Sequence, residues 1–302
     1  MDSLVIFQQL LVLLGLMSLG FYSHKRGWMT DSVSKSISAM VVNIFNPMIM
    51  LSGAVSRSED ATGAMVLENL ILCCIYFTAA TLLSYPLLRL IRVPREKRGL
   101  YANLLIFANF GFMGIPVVTG LYGSAYVIFV SFYMLFMNTM FYTYGMAIMT
   151  GGFSFKKVLN AGTFSCLASI AVFAMGLRVP GWAASLLSYG GNTCIPLSMM
   201  VIGANLAKSD FRAILRNPLY HRFLALKMLA LPILMVLAVR RMPFEPSLLG
   251  IYMVMVSMPS ASVPALVAQE QCSEALGLEA SQVNMLTTVS CILTVPIVAL
   301  FL

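Results

Sequence analysis

The sequence predicts an all-α polytopic membrane protein: ten transmembrane helices as two inverted five-helix repeats, with helices 4 and 9 broken. Composition, the clustering of charge, and a pair of Asn/Pro motifs recurring at matched spacing carry that prediction. Hydrophobic residues make up 60% of the 302-residue chain and charged residues only 10%, with a mean hydropathy of +0.89. A soluble domain of ordinary make-up carries about 25% charged residues on its surface. Here the charges cluster between apolar runs of about 20 residues, the length that crosses a hydrocarbon core of about 30 Å.

The N-terminal stretch MDSLVIFQQLLVLLGLMSLGFY has neither a basic n-region nor a small-residue cleavage site, so it reads as a first span rather than a removable signal. The spans follow at roughly 4–22, 36–55, 64–88, 100–121, 125–149, 158–177, 183–206, 219–239, 247–268 and 281–302. Their ends are marked by His24-Lys25-Arg26, Arg57-Ser58-Glu59-Asp60, the basic run Arg92 to Arg98, Gly151-Gly152, Arg178-Val179-Pro180 and Arg240 to Pro246. No connection is long enough for a soluble domain.

Lys and Arg in short loops set orientation. One set of loops holds Lys25, Arg26, Lys35, Arg89, Arg92, Arg95, Lys97, Arg98, Lys156, Lys157, Lys208, Arg212, Arg216 and Arg222. The other holds only Arg57, Arg178, Arg240 and Arg241, a split of fourteen to four. Strict alternation of the spans reproduces it. The expectation is a multi-pass protein of the cell membrane with both termini outside and a basic cytoplasmic face.

The halves repeat. Span 2 contains Asn43-Ile44-Phe45-Asn46-Pro47 and span 7 contains Asn192-Thr193-Cys194-Ile195-Pro196, each an Asn four residues before a Pro. Pro47 to Pro116 is 69 residues and Pro196 to Pro264 is 68. With five spans per half, residues 1–150 and 151–302 enter the membrane from opposite sides, the inverted repeat of many secondary transporters. The motifs mark Asn43, Pro47, Asn192 and Pro196 as helix breaks. Span 4 reads Asn109-Phe110-Gly111-Phe112-Met113-Gly114-Ile115-Pro116, and span 9 reads Pro259-Ser260-Ala261-Ser262-Val263-Pro264. Gly and Pro at this density interrupt a helix. Interruptions in matching spans point to a binding site, because half-helix N-termini offer free N–H groups and a positive dipole end to an anion.

These same residues resemble a known family. Asn109, Met113-Gly114-Ile115-Pro116 and Leu121-Tyr122-Gly123 are similar to the fourth helix of the auxin efflux carrier family. Pro259 and Pro264 with Ala268 and Glu270 resemble its ninth, and Gly191-Asn192, Pro196-Leu197 and Gly203-Ala204 its seventh. The family includes plant auxin exporters and bacterial permeases for malate and malonate. The resemblance implies an elevator-type carrier: helices 1, 2, 6 and 7 form a scaffold that dimerises, and helices 3–5 and 8–10 move, holding substrate where helices 4 and 9 cross. It implies substrate contact at Asn109 and a crossover at Pro116 and Pro264, which brings in their neighbours Gly114, Ile115, Ser262 and Val263. Only about Gly151 to Lys157 separates the halves, so the chain resembles the compact bacterial form.

Two ionisable residues fall inside spans, where charge is costly and usually functional. Glu68 and Lys227 are candidates for proton or sodium coupling, or they snorkel to the interface. Glu270, at the inner end of span 9, is a candidate for the inner mouth or a plain surface group. Asn138, Ser257, Ser262 and Asn284 either line the site or hydrogen-bond between helices. Cys73, Cys74, Cys166, Cys194, Cys272 and Cys291 lack metal-ligand spacing, and His24 and His221 stand apart, so no metal or other cofactor is expected. Nucleic acid is excluded as a partner, because the basic residues form no aromatic-interleaved groove. A membrane enzyme would need a nucleophile or carboxylate pair at depth, but no Asp falls inside a span, no Gly-x-Ser-x-Gly occurs, and neither His is near a candidate Ser. A Walker-type nucleotide motif is also missing. The expected function is secondary transport of a small organic anion such as a dicarboxylate. A channel or membrane sensor binding a small ligand at the helix crossover is the alternative.

Overall fold

The computed structural model describes residues 3–56, 63–153, 155–177, 179–208 and 211–302. Arg57 and Arg178, two of the basic residues used to orient the loops, lie outside the described residues. Among the described residues the regular structure is helical, with no strand beyond one isolated bridge. In chain order the main helices are α1 (Ser3–Lys25), α2 (Asp31–Val55), α3 (Gly63–Leu90), α4 (Arg98–Ile106), α5 (Phe110–Tyr122) and α6 (Ser124–Thr150). They continue as α7 (Ala161–Met175), α8 (Gly181–Ala207), α9 (Pro218–Val239), α10 (Pro246–Val256), α11 (Val263–Gln271) and α12 (Glu274–Ala299). Six of them, α1, α2, α3, α6, α9 and α12, are long and apolar enough to cross a membrane. Leucines such as Leu82, Leu167, Leu234 and Leu293 are exposed on helix surfaces, as suits helices whose surroundings are lipid. The chain is a multi-pass membrane protein.

Local chemistry sets the helix ends. Thr30 accepts the N–H of Val33 and starts α2 at Asp31, ahead of the expected start near 36. Ser273 accepts the N–H of Leu276 and starts α12 at Glu274, ahead of the expected 281. Asn160 and Asn217 cap α7 and α9 in the same way, each supplying an acceptor to an N–H that has no helical partner. Gly151 ends α6 at φ +77°, a left-handed turn that suits glycine.

The motif prolines behave differently from one another. In α2 the helix widens into a π-helical turn at Val41–Phe45 just before Pro47. Pro196, by contrast, sits inside the uninterrupted helix Gly181–Ala207. The expected break at Asn192 and Pro196 is therefore absent: α8 absorbs the loss of a single backbone donor. The expected spans 4 and 9 are each split, into α4/α5 and α10/α11, but the splits fall N-terminal to Pro116 and Pro264. Pro264 is in the first turn of α11, where a missing N–H costs nothing, whereas Pro116 sits inside α5, just after its π-helical turn Phe110–Gly114.

Helix α1 packs along α8, the most extensive pair, and α2 packs against both α8 and α7. A Cβ at Gly20 would strike the backbone of Met200, and one at Gly203 the backbone of Met17. Small residues thus let the two backbones meet, the usual basis of helix packing in lipid. Gly203→Leu is expected to force α1 from α8 at about 1–3 kcal/mol or more, read as a lower unfolding temperature in detergent. An unchanged temperature would contradict the close packing.

Candidate functional site

The two splits meet. Between α4 and α5, residues Phe107–Asn109 run extended beside the stretch Pro259–Ala261 between α10 and α11. The Asn109 N–H donates to the Pro259 carbonyl at 2.8 Å and the Ala261 N–H to the Phe107 carbonyl at 2.9 Å. Ala108 and Ser260 face each other in an antiparallel bridge.

A helix that stops in the protein interior leaves its last four carbonyls without partners, and Leu104 to Phe107 are fully buried. At the end of α4 each has found a different one. Leu104 accepts from the Ser260 hydroxyl at 2.8 Å, Leu105 from Lys227 Nζ at 2.9 Å, and Ile106 from the Tyr76 hydroxyl at 2.7 Å. Phe107 accepts from Ala261, as above. Lys227 is fully buried, so it does not snorkel: it is a donor at the negative end of a half-helix. On the other strand of the crossing, Asn284 of α12 donates to the Ser260 carbonyl at 3.0 Å and to the Ser262 hydroxyl at 3.1 Å. Thr287 Oγ1 accepts the Ser260 N–H at 3.3 Å. Tyr76 and Thr287 carry no signal in the sequence, and Ser260 reads there only as part of the span 9 break, because a hydroxyl in a span gives no sign of its partner.

Beside the crossing is a cavity of about 250 Å³. Asn109 to Phe112 at the start of α5 and Ala261 to Val263 at the start of α11 form one side. Asn43, Asn46, Pro47 and Met50 of α2, Asn138 and Tyr142 of α6, and Asn160 and Ser165 around the start of α7 are among the residues closing it. No charged side chain lines it among the described residues. Asn109 Oδ1 accepts the Phe112 N–H at 3.2 Å and caps α5, which leaves its amide nitrogen as a donor. Ser262 makes no side-chain cap to α11. Two helix N-termini therefore open on one uncharged, amide-rich space.

Of the residues singled out in the sequence, Asn109, Ser262 and Val263 line this cavity, and so do Asn43 and Pro47. Gly114, Ile115, Pro116 and Pro264 are buried behind it and do not line it. Gly114 gives room to Met255, whose Cε would sit 3.0 Å from a Cβ there. Asn192 is exposed on α8, away from the cavity lining. The two Asn/Pro motifs still touch, through the Cys194 thiol donating to Asn46 Oδ1 at 2.8 Å. Glu68 is half-buried and accepts the N–H of Glu245 at 2.8 Å, capping α10 from α3. Glu270 is exposed near the end of α11. A further acid, Glu279, was missed because span 10 was expected to start after it; it pairs with Lys97 at 2.7 Å and accepts from the Tyr101 hydroxyl at 2.7 Å.

The model of the family described as membrane transport protein matches residues 5–152 and 149–299. A protein of Methanothermobacter thermautotrophicus named as an uncharacterized transporter is 25% identical over 275 residues, covering 87% of this chain and 88% of its own length. Another from Methanocaldococcus jannaschii, with the same description, is 25% identical over 215 residues, covering 65% of this chain and 68% of its own. The chain belongs to this membrane transport protein family, the auxin efflux carrier family of membrane transporters.

Proposed function

We propose that the protein is a secondary transporter of a small organic anion, a dicarboxylate such as malate or malonate, working by elevator-type alternating access. The observation that carries this is the meeting of two half-helix N-termini, at Phe110 and Val263, on a cavity lined by amides and hydroxyls. N–H groups and dipole ends there attract a carboxylate. The ten-span inverted arrangement fits the two stretches of the family match, which join at 149–152. The row of packed helices α1–α8–α2–α7 supports their role as a scaffold, on which a homodimer would form. Helices α3–α6 and α9–α12 would carry the crossing. The cavity reaches Asn160, near Lys156 and Lys157, so with basic loops inside and termini outside, the cavity would face the cytoplasm.

A dianion in a space whose described lining holds no cationic side chain has only dipoles to offset its second charge, and a buried uncompensated charge is expensive. The proposal therefore includes a coupling proton or sodium ion entering with the substrate. A thermal-shift screen of organic anions, repeated with sodium and at several pH values, tests both parts. Stabilisation by malate or malonate that grows with sodium or with falling pH is expected. A shift independent of both removes the coupling, and no shift with any organic anion removes the substrate class.

A further inference from the structure

A second cavity, of about 370 Å³, lies at the far end of α4 and shares no lining residue with the first. It is closed by the end of α3, the turn into α4, the end of α6, and the junction of α11 and α12. Three arginines line it: Arg89 at the end of α3, Arg95 in the turn, and Arg98 at the first position of α4. Glu96 is the one acid in the lining, so the wall carries a net charge of 3 − 1 = +2.

Neighbouring cations are already engaged. Lys97 is held by Glu279 at 2.7 Å, and Arg222 donates to the Ile91 carbonyl at 3.0 Å. The three lining arginines keep donors free. Arg98 gives only its Nε, to the Val93 carbonyl at 3.1 Å. The Arg89 and Arg95 guanidiniums have no partner among the described residues. Like charges gathered around a cavity repel one another and hold together best when an anion sits between them. Arg89 and Arg95 are exposed and Arg98 is half-buried, so an arriving anion reaches them from water.

We propose that this cavity is an anion site for a phosphate group. A guanidinium fork meets two oxygens of one anion at once, and three guanidiniums lining one cavity suit the several oxygens of a phosphate better than a single carboxylate. Leu100, Ile148, Met149 and Leu276 form an apolar wall beside the arginines. That pairing of basic rim and apolar wall matches a phospholipid headgroup with the start of its acyl chains, as in basic pockets between membrane helices. Free phosphate shares the same recognised chemistry.

The experiment compares the delipidated wild-type protein with R89Q/R95Q, which leaves Arg98 and its contact with Val93 in place. Native mass spectrometry follows retention of phosphatidylglycerol against phosphatidylcholine, and thermal shift follows inorganic phosphate. Loss of two charged donors is expected to weaken binding by about tenfold or more. Phosphatidylglycerol retained by wild type and lost from the variant identifies a lipid headgroup site. Stabilisation by inorganic phosphate without lipid selectivity, again lost in the variant, identifies a soluble phosphate. Equal behaviour of wild type and variant in both arms overturns the site. Should R89Q/R95Q fail to fold, Glu96→Gln decides: removing the one acid tightens binding if the site exists, and unchanged binding overturns it.

Discussion

Lys227→Met is expected to lower the unfolding temperature sharply and to abolish transport. Methionine is unbranched, apolar and only one atom shorter than lysine, but it cannot donate to the Leu105 carbonyl. A buried polar group left without its partner costs about 1–3 kcal/mol, and water does not reach this place to replace it. The damage falls on the segment that aligns both half-helices, because the Ser260, Tyr76 and Ala261 donors act on neighbouring carbonyls of the same turn. Lys227→Gln separates this account from a role in carrying protons. An amide still donates, so the account expects Gln to recover much of the stability lost in Met and to leave the pH profile of any remaining uptake unchanged. Equal stability for Gln and Met in thermal unfolding would remove the capping role.

The second large effect concerns Asn109, whose side chain has two duties. Its oxygen caps α5 through the Phe112 N–H, and its amide nitrogen is the donor proposed to meet the substrate. Asn109→Ala removes both, with a loss of about 0.5–2 kcal/mol for the cap alone. Asn109→Asp divides them. A carboxylate caps a helix N-terminus at least as well as an amide, so the unfolding temperature is expected to hold or rise. The same carboxylate puts a negative charge into a cavity whose described lining holds no cation. Organic-anion binding is therefore expected to fall by more than about tenfold, since like charges in a low-dielectric site repel by well over 1.4 kcal/mol. Thermal shift with and without malate reads both quantities in one experiment. An Asp variant that binds as wild type does would place the substrate elsewhere.

Glu68 is a smaller case with a clear sign. If its carboxylate only caps α10 through the Glu245 N–H, Glu68→Gln keeps an acceptor, and the pH dependence of uptake stays as in wild type. A changed pH profile would return Glu68 to the coupling machinery.

How far these residues could be read beforehand depends on what kind of neighbour decides their role. The apolar runs and the places where helices end are local properties, and hydropathy, caps and glycines expose them. The breaks in the expected spans 4 and 9 were also visible, from Gly111, Gly114, Pro259 and Pro264, yet their positions were displaced toward Pro116 and Pro264. Phe107-Ala108-Asn109 contains no breaker of its own. It runs extended because Pro259 and Ala261 supply backbone partners from another part of the chain, a tertiary effect that local propensity does not record. Pro196 shows the converse: a residue that usually interrupts a helix sits in one that continues. Depth alone suggested coupling for Glu68 and Lys227. Their partners, the N–H of Glu245 and the carbonyl of Leu105, lie 177 and 122 positions away in the chain. Arg89, Arg95 and Arg98 were counted as loop charges for orientation, and only the folded chain gathers them around one cavity.

The central claim, an organic anion held where the two broken helices meet, is tested most directly by counterflow in proteoliposomes. Vesicles containing the wild-type protein and preloaded with unlabelled malate are given a trace of labelled malate outside. Transient accumulation of label is predicted for wild type, its loss for Asn109→Asp at undiminished thermal stability, and its persistence in R89Q/R95Q. Label entry that is equal in wild type and Asn109→Asp, or absent for every small organic anion offered, would contradict the account.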